Sequence, residues 1–334
     1  MLKVFVPTPL PKVRQLPLLE RTYPHERRLF QQIPFAEYSG IIESVPMQDA
    51  RYLLVPHAMA DLRTRRGYLN ETLEMASRAR MRPIIFNNQD DPMPVHIPGG
   101  IILRQSAYRS TRLPNEIITP ALVEDVGRTE FEPRPKGMHP TVGFVGKAGF
   151  NSIKEMARYA IRNYAMRSGA DREGIYFRRR ALALLSRDFR IELRSSIRRS
   201  FSAHASTIEL APERARAEYL ESLERNLFTL APRGDGNYSL RFYETLSMGR
   251  LPILIDTDME LPLEREIPYD SFIVRVPWDE LDRLGDIVWQ MWQSHDEDEL
   301  IEMQRKARNA FETSLYFPAF LRKMLVPERL AAIP

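Results

Sequence analysis

The stretch Ala231-Pro232-Arg233-Gly234-Asp235-Gly236-Asn237-Tyr238-Ser239-Leu240-Arg241-Phe242-Tyr243-Glu244-Thr245-Leu246-Ser247-Met248-Gly249-Arg250-Leu251-Pro252-Ile253-Leu254-Ile255 decides the fold. It reads as a strand end, a glycine loop, a helix, a turn and a buried strand. The apolar run Leu227 to Leu230 predicts a short buried strand leading into it. Pro232, Gly234 and Gly236 break that run. Glycine takes positive φ and lets the backbone come close to a ligand. Ser239 or Asn237 is placed to cap the helix, whose free N–H groups and dipole favour an anion. Gly249 stands where a C-terminal glycine belongs. Leu251 to Ile255 is a second apolar run, with Pro252 near its start, where a strand tolerates proline.

The helix has two faces. Leu240, Tyr243, Leu246 and Ser247 share one, which predicts packing on the sheet. Arg241, Glu244 and Met248 share the other, because residues three or four apart are helical neighbours. An isolated R-x-x-E would read as a solvated ion pair contributing a few tenths of a kcal/mol. Here the pair opens a helix directly after a glycine loop, which favours ligand binding.

The block P-R-G-D-G-x-x-S-x-R-F-x-E-x-L-x-x-G-x-x-P-I-x-I resembles the signature of exostosin-type glycosyltransferases, glycosyltransferase family 47. The following segment is similar too: Asp256 to Asp258, Glu260-Leu261-Pro262-Leu263, then Ser271 to Pro277. Further collinear likenesses are Ala50 to His57, Pro83 to Asp90, and the strand and glycine turn Thr141 to Lys147. The Arg178-Arg179-Arg180 helix follows that turn only after a long insertion. The resemblance implies a GT-B architecture, with the nucleotide-sugar donor in the second domain and the acceptor in the first.

The alternation of apolar runs and helical patterns points the same way, to parallel sheet with crossovers. Strand-like runs fall at Lys3 to Val6, Tyr38 to Ile42, Tyr52 to Val55, Ile84 to Phe86 and Gly100 to Leu103, with a helix over Leu69 to Arg80. Glu130 to Pro140, carrying Pro133, Pro135, Gly137 and Pro140, is the best linker. The pattern restarts with a strand at Thr141 to Val145 and a helix near Ser152 to Arg167. Ala181 to Leu185, Glu213 to Arg225, Asp279 to Gln293 and Glu297 to Phe311 are helical, and Arg190 to Leu193 is strand-like. The fold class is therefore α/β: two doubly wound Rossmann-like domains facing across a cleft. The acceptor domain spans 1–135 and the donor domain 136–316, and 317–334 is expected to pack back on the first domain.

Bulk properties bound the chemistry. At 334 residues, 43% hydrophobic and 28% charged, the chain has the composition of a globular protein. No apolar run approaches the roughly 20 residues of a membrane helix, and Met1 to Pro7 is too short for a secretory signal. The expectation is either a cytoplasmic, bacterial relative or a form trimmed of its anchor, with peripheral association with a membrane left open. With no cysteine, thiol nucleophiles, disulfides and cysteine metal sites are excluded. The six histidines show no metal-ligand spacing, so no metal and no cofactor is expected. Gly143 to Lys147 is too short for a Walker loop, and Ala148 stands where its Ser or Thr belongs.

Net charge is only +4, yet arginines cluster between Arg172 and Arg199. The bland reading is a solvated helix face; the functional one is a surface that attracts an anion, an anionic membrane contacted through Arg178 to Arg199 included. Nucleic acid ranks last, since no aromatic platform interleaves with the basic run.

Sugar transfer requires a stabilised leaving diphosphate, an activated acceptor hydroxyl and a dry reacting centre. Arg241 is the first candidate for the diphosphate, because guanidinium binds phosphate oxygens bidentately. Arg233 and Lys147 rank second. Glu244 is the candidate for the ribose hydroxyls. Gly234, Asp235 and Gly236 shape the loop, with Ser239 at the helix start and Gly146 in the second glycine turn. The catalytic base is sought at strand ends of the first domain: His57, Asp90 or Asp91. The leading expectation is an inverting, metal-independent transferase using a nucleoside-diphosphate sugar, a UDP-sugar favoured, on a glycan or glycolipid acceptor. The rivals are a fucosyl- or heptosyl-type GT-B enzyme using a GDP- or ADP-sugar, and a non-catalytic GT-B-like binding subunit.

Overall fold

A computed structural model describes residues 1–19, 33–127, 131–200 and 211–334. Two parallel sheets organise them. Strands β1 (Leu2–Phe5), β2 (Ile42–Ser44), β3 (Tyr52–Leu54), β4 (Arg82–Asn87), β5 (Ile101–Arg104) and β6 (Glu116–Ile118) form the first, in the order β2-β1-β3-β4-β5-β6. Strands β7 (Thr141–Lys147), β8 (Glu192–Arg198), β9 (Phe228–Leu230), β10 (Leu251–Asp256) and β11 (Val274–Pro277) form the second, in the order β11-β10-β9-β7-β8. The helices are α1 (Arg66–Arg78), α2 (Ile153–Ala160), α3 (Gly174–Leu185), α4 (Pro212–Arg225), α5 (Leu240–Ser247), α6 (Leu284–Ser294), α7 (Glu297–Ala310), α8 (Phe317–Met324) and α9 (Pro327–Ala331).

Strands covered on both faces read as continuous apolar runs rather than alternating ones. Ile253 to Ile255 of β10 and Ile101 and Ile102 of β5 are fully buried, in keeping with that rule. One face of the first sheet packs Leu2, Val4, Ile84 and Phe86 against Phe317, Phe320, Leu321 and Leu330 of α8 and α9. The other packs Leu53, Val55 and Ile85 against Leu62 and Ala76. The C-terminal segment is thus held on the first sheet, and Arg82 Nη1 donates to the carbonyls of Leu330 (3.1 Å) and Ile333 (2.7 Å). The second core joins Phe177, Ala181 and Leu185 of α3 with Phe242 and Leu246 of α5 and Leu300 and Ala307 of α7. The chain is α/β, with two parallel sheets covered by helices.

Local signals account for most boundaries. Gly249 ends α5 at φ +60°. Asp296 and Glu299 form a reciprocal capping box that opens α7. Three expectations shift. The Tyr38 to Ile42 run divides into a 3₁₀ turn, Phe35–Tyr38, and a strand that begins only at Ile42. The helix near Ser152 to Arg167 is α-helical only to Ala160, then continues as a π-helical turn, Ile161–Met166. Strand β6 escapes pattern reading because it is short and buries a charged residue, Glu116.

The strand order positions the site. In the second sheet the chain runs from β7 out to β8, then returns to β9 on the other side of β7. The crevice at the carboxyl ends of β7 and β9 is therefore the topological switch point, where open α/β sheets bind ligands. The glycine turn Gly146–Lys147 and the loop after Leu230 both open onto it.

Candidate active site

Arg241, in the first turn of α5, lies across the end of β7. Its Nη2 donates to the Val145 carbonyl at 2.7 Å, and its guanidinium stacks 4.4 Å from the Phe144 ring centre. Gly146 makes this possible: it adopts φ +155°, and a Cβ there would lie 2.7 Å from Arg241 Nη2. Among the described residues Arg241 has no ion-pair partner, and its Nε has no hydrogen-bond partner.

Arg178 of α3 joins it. Arg178 donates to the carbonyls of Lys147 (3.2 Å) and Arg233 (3.1 Å). Burial and then repulsion from Arg241 lower its pKa to about 10, with Asp235 opposing. The guanidinium therefore stays charged at neutral pH while being poorly solvated, which favours an incoming anion.

The loop between β9 and α5 is held by backbone contacts. Gly174 begins α3 tight against it, so that a Cβ would come within 2.3 Å of the carbonyls of both Arg233 and Gly234. Gly234 N donates to Tyr238 O at 2.9 Å. Ser239 occupies the N-cap position, but its hydroxyl makes no capping bond. Asn237, the other capping candidate, is turned toward the first domain. Its Nδ2 donates to Ala107 O (2.9 Å) and Thr257 O (3.2 Å), and its Oδ1 accepts from Thr257 Oγ1 (2.6 Å). The first N–H groups of α5 are thus uncapped by either side chain.

Two second-rank cations are committed elsewhere. Arg233 is 2% exposed and donates to Tyr108 Oη (3.2 Å), Ala170 O (3.1 Å) and Asp235 O (3.3 Å). It is a brace between domains rather than a loop charge in solvent. Lys147 donates to Glu155 Oε1 at 2.8 Å. Burial alone would raise the Glu155 pKa, but the bonds from Lys147 and Asn151 more than offset it and lower it.

Glu244 does not pair with Arg241. Its Oε1 accepts from Arg216 Nη1 (2.7 Å) and its Oε2 from Tyr219 Oη (2.6 Å), both on α4. Burial and then the Glu244 charge push the Tyr219 pKa well above its ordinary value, so the phenol remains a donor. Each carboxylate oxygen retains a further lone pair.

The three base candidates separate. His57 is fully buried; its Nε2 accepts from Leu10 N (2.8 Å), so its Nδ1 carries the proton given to Arg14 O (2.7 Å). Both ring nitrogens are consumed by backbone, the role of a structural histidine. Asp91 Oδ1 accepts from Met93 N at 3.0 Å, within its own turn. Asp90 alone reaches the signature loop: its Oδ1 accepts from Tyr238 Oη at 2.8 Å, and its carbonyl lies 2.9 Å from where a Gly236 Cβ would be. Ser106 ties this corner together, donating to Asp90 O (2.8 Å) and accepting from Asn237 N (2.9 Å).

Residues 175–291, from α3 through most of α6, match the family model of the Exostosin GT47 domain. Over those residues the chain is similar to the Exostosin GT47 domain. A probable glucuronosyltransferase of Oryza sativa subsp. japonica is 28% identical over 152 residues, 45% of this chain and 31% of that protein. Probable glucuronosyltransferase 47 A of Physcomitrium patens is 30% identical over 103 residues, 30% of this chain and 22% of its own length. An exostosin-1 homolog of Caenorhabditis elegans is 33% identical over 100 residues, 30% of this chain and 25% of that one. Each match spans less than a third of the relative. A crystal structure of a variant of S. aureus TarM with fondaparinux, alpha-GlcNAc-glycerol and UDP is 9% identical, covering 83% of this chain and 54% of that one. Its TM-score is 0.37, too loose a likeness to argue from.

The site holds its carboxylate and loop with residues that sequence reading passed over. Arg216 and Tyr219 sit three apart on α4, an ordinary surface spacing whose inward direction only packing reveals. Gly174 and Ser106 carry no motif at all. Arg178 was visible only as one arginine of a run. That run is largely internal: Arg180 pairs with Asp282 (2.7 Å), Arg190 with Asp188 (2.6 Å) and Asp286 (2.7 Å), and Arg194 with Glu192 (2.8 Å). Arg179 donates to the Ala148 carbonyl at 2.7 Å. Those side chains answer carboxylates and carbonyls of the same chain, so the run is partly paired at the surface.

Proposed function

We propose that this chain is a glycosyltransferase that moves a sugar from a nucleoside-diphosphate donor to an acceptor hydroxyl with inversion. The observation that carries the reading is Arg241: a guanidinium with no carboxylate partner among the described residues, beside a second buried guanidinium and a helix start that Ser239 does not cap, at a switch-point crevice. Preorganised positive charge of that kind stabilises a leaving diphosphate. Arg241 and Arg178 take the phosphate oxygens, and Glu244, held by Arg216 and Tyr219, accepts from the ribose hydroxyls. Asp90 is the base: it removes the acceptor hydroxyl proton as that oxygen attacks the anomeric carbon and the bond to the diphosphate breaks. His57 and Asp91 are set aside because their polar atoms serve the local backbone. A UDP-sugar is the favoured donor and a glycan the favoured acceptor, in line with the relatives named glucuronosyltransferase.

Titration calorimetry with UDP, GDP and ADP tests the donor reading. Binding of one of them, lost in Arg241→Ala with an unchanged melting temperature, is the expected result. Failure of all three to bind the wild-type chain sinks it. Turnover that survives EDTA is expected for a metal-independent reaction; turnover abolished by EDTA and restored by a divalent ion refutes that part.

A further inference from the structure

Helix α2 and its π-helical extension leave directly from the Gly146–Lys147 turn and present three distinct strips. Glu155, Tyr159 and Asn163, four residues apart, face inward. Glu155 pairs with Lys147 (2.8 Å), Tyr159 packs at a tilt against Phe150 (5.0 Å between ring centres), and Asn163 donates to Glu173 (2.9 Å). Ile153, Met156, Ala157, Ala160 and Ile161 fall on a second strip at i, i+3, i+4, i+7 and i+8, the spacing of a helical face. The strip is exposed: Ile153 is 80% exposed, Met156 49% and Ile161 56%. Lys154, Arg158 and Arg162 form the third strip, alongside the apolar one, with Arg162 also reaching Glu173 at 3.1 Å.

An exposed apolar strip of this length marks an interaction surface. The charges choose the partner. The segment's single acid, Glu155, is paired with Lys147, so the exposed faces carry a net positive charge. A second copy of the chain would bring two cationic rows together. An anionic bilayer offers the opposite charge next to an apolar interior, which is what a basic amphipathic helix matches. No helix among the described residues is long and apolar enough to cross a membrane, so such contact would be peripheral. We infer that residues 153–166 dock the protein on a membrane surface rich in anionic lipid. This rests on the strip itself and stands apart from the sugar-transfer reading.

Flotation of the full chain with vesicles tests it. The wild-type protein is expected to float with phosphatidylcholine vesicles that contain phosphatidylglycerol, to stay behind with pure phosphatidylcholine, and to release as salt screens the charges. Ile153→Ser/Met156→Ser/Ile161→Ser should weaken the partition by about tenfold or more while the melting temperature holds, because all three side chains are exposed. Lys154→Glu/Arg158→Glu should abolish the preference for anionic lipid. Failure of the wild-type chain to float, or wild-type flotation by the apolar variant, overturns the inference. A dimer seen by analytical ultracentrifugation and lost in the apolar variant would assign the strip to a second copy and overturn it as well.

Discussion

Arg241 and Glu244 stand three apart on one helix, yet their partners lie on different elements. Arg241 reaches back to the end of β7, whereas Glu244 is held by α4. A hydrogen bond to a charged group contributes about 1.5–3 kcal/mol, and about 1.4 kcal/mol is tenfold in affinity. Arg241→Ala should therefore weaken nucleoside-diphosphate binding at least about tenfold by calorimetry. Arg241→Lys should recover only part, since an ammonium lacks the planar fork. Tyr219→Phe removes one donor from a buried carboxylate and should cost about 1–3 kcal/mol in urea unfolding; an unchanged midpoint would show that Glu244 does not depend on it. The R-x-x-E pair was legible from sequence because glycine loop and helix phase place it. Its supports were not, since they lie 25 and 28 residues upstream on α4.

At the scale of elements, α5 and α3 meet through the signature loop. An N-cap serine usually stabilises its helix by about 1 kcal/mol. Ser239 makes no such bond, so Ser239→Ala should shift stability by well under that amount in denaturant melts. Gly174→Ala should do more than its surface position in the sequence suggests. Its Cβ would collide at 2.3 Å with the Arg233 and Gly234 carbonyls, and overpacking of this kind costs about 1–3 kcal/mol. The loop must move, so donor affinity should fall along with the melting temperature. Wild-type affinity in that variant would show that the loop is not poised by α3. Elements with strong periodicity, β10 and α7 among them, were readable in the chain. Strand β6 was not, because Glu116 is hidden there by pairing with Arg104, an arrangement without a local signature.

At the scale of the molecule, a seam joins the sheets. Tyr108 bridges Met259, Arg109 pairs with Asp256 (3.4 Å) and Glu264 (3.3 Å), and Asn237 is lodged among Ser106, Ala107 and Thr257. The seam brings Asp90 to the loop between β9 and α5. Asp90→Asn should lower kcat while leaving donor affinity intact, a split that steady-state kinetics and calorimetry resolve together. A second tie runs from the C-terminal helices to the loop after β10: Arg329 and Lys323 hold the Glu266 carboxyl, Arg329 foremost, at a pKa of about 2. A depressed carboxylate contributes stability above its ordinary pKa near 4.5, lost as pH falls from there toward about 2. Glu266→Gln should flatten that acid limb in unfolding measured across pH, modestly, because the pair is partly solvated. The α/β alternation, the exostosin-like block and the Arg241–Glu244 helix follow from the sequence alone, since hydrophobic period, glycine placement and helix phase are local properties. Only the tertiary structure decided that Arg233, Lys147 and His57 are braces, that the arginine run is mostly paired, and that Asp90 meets the loop between β9 and α5. Those outcomes depend on which groups distant in the chain come within about 3 Å of one another, and no local pattern encodes that.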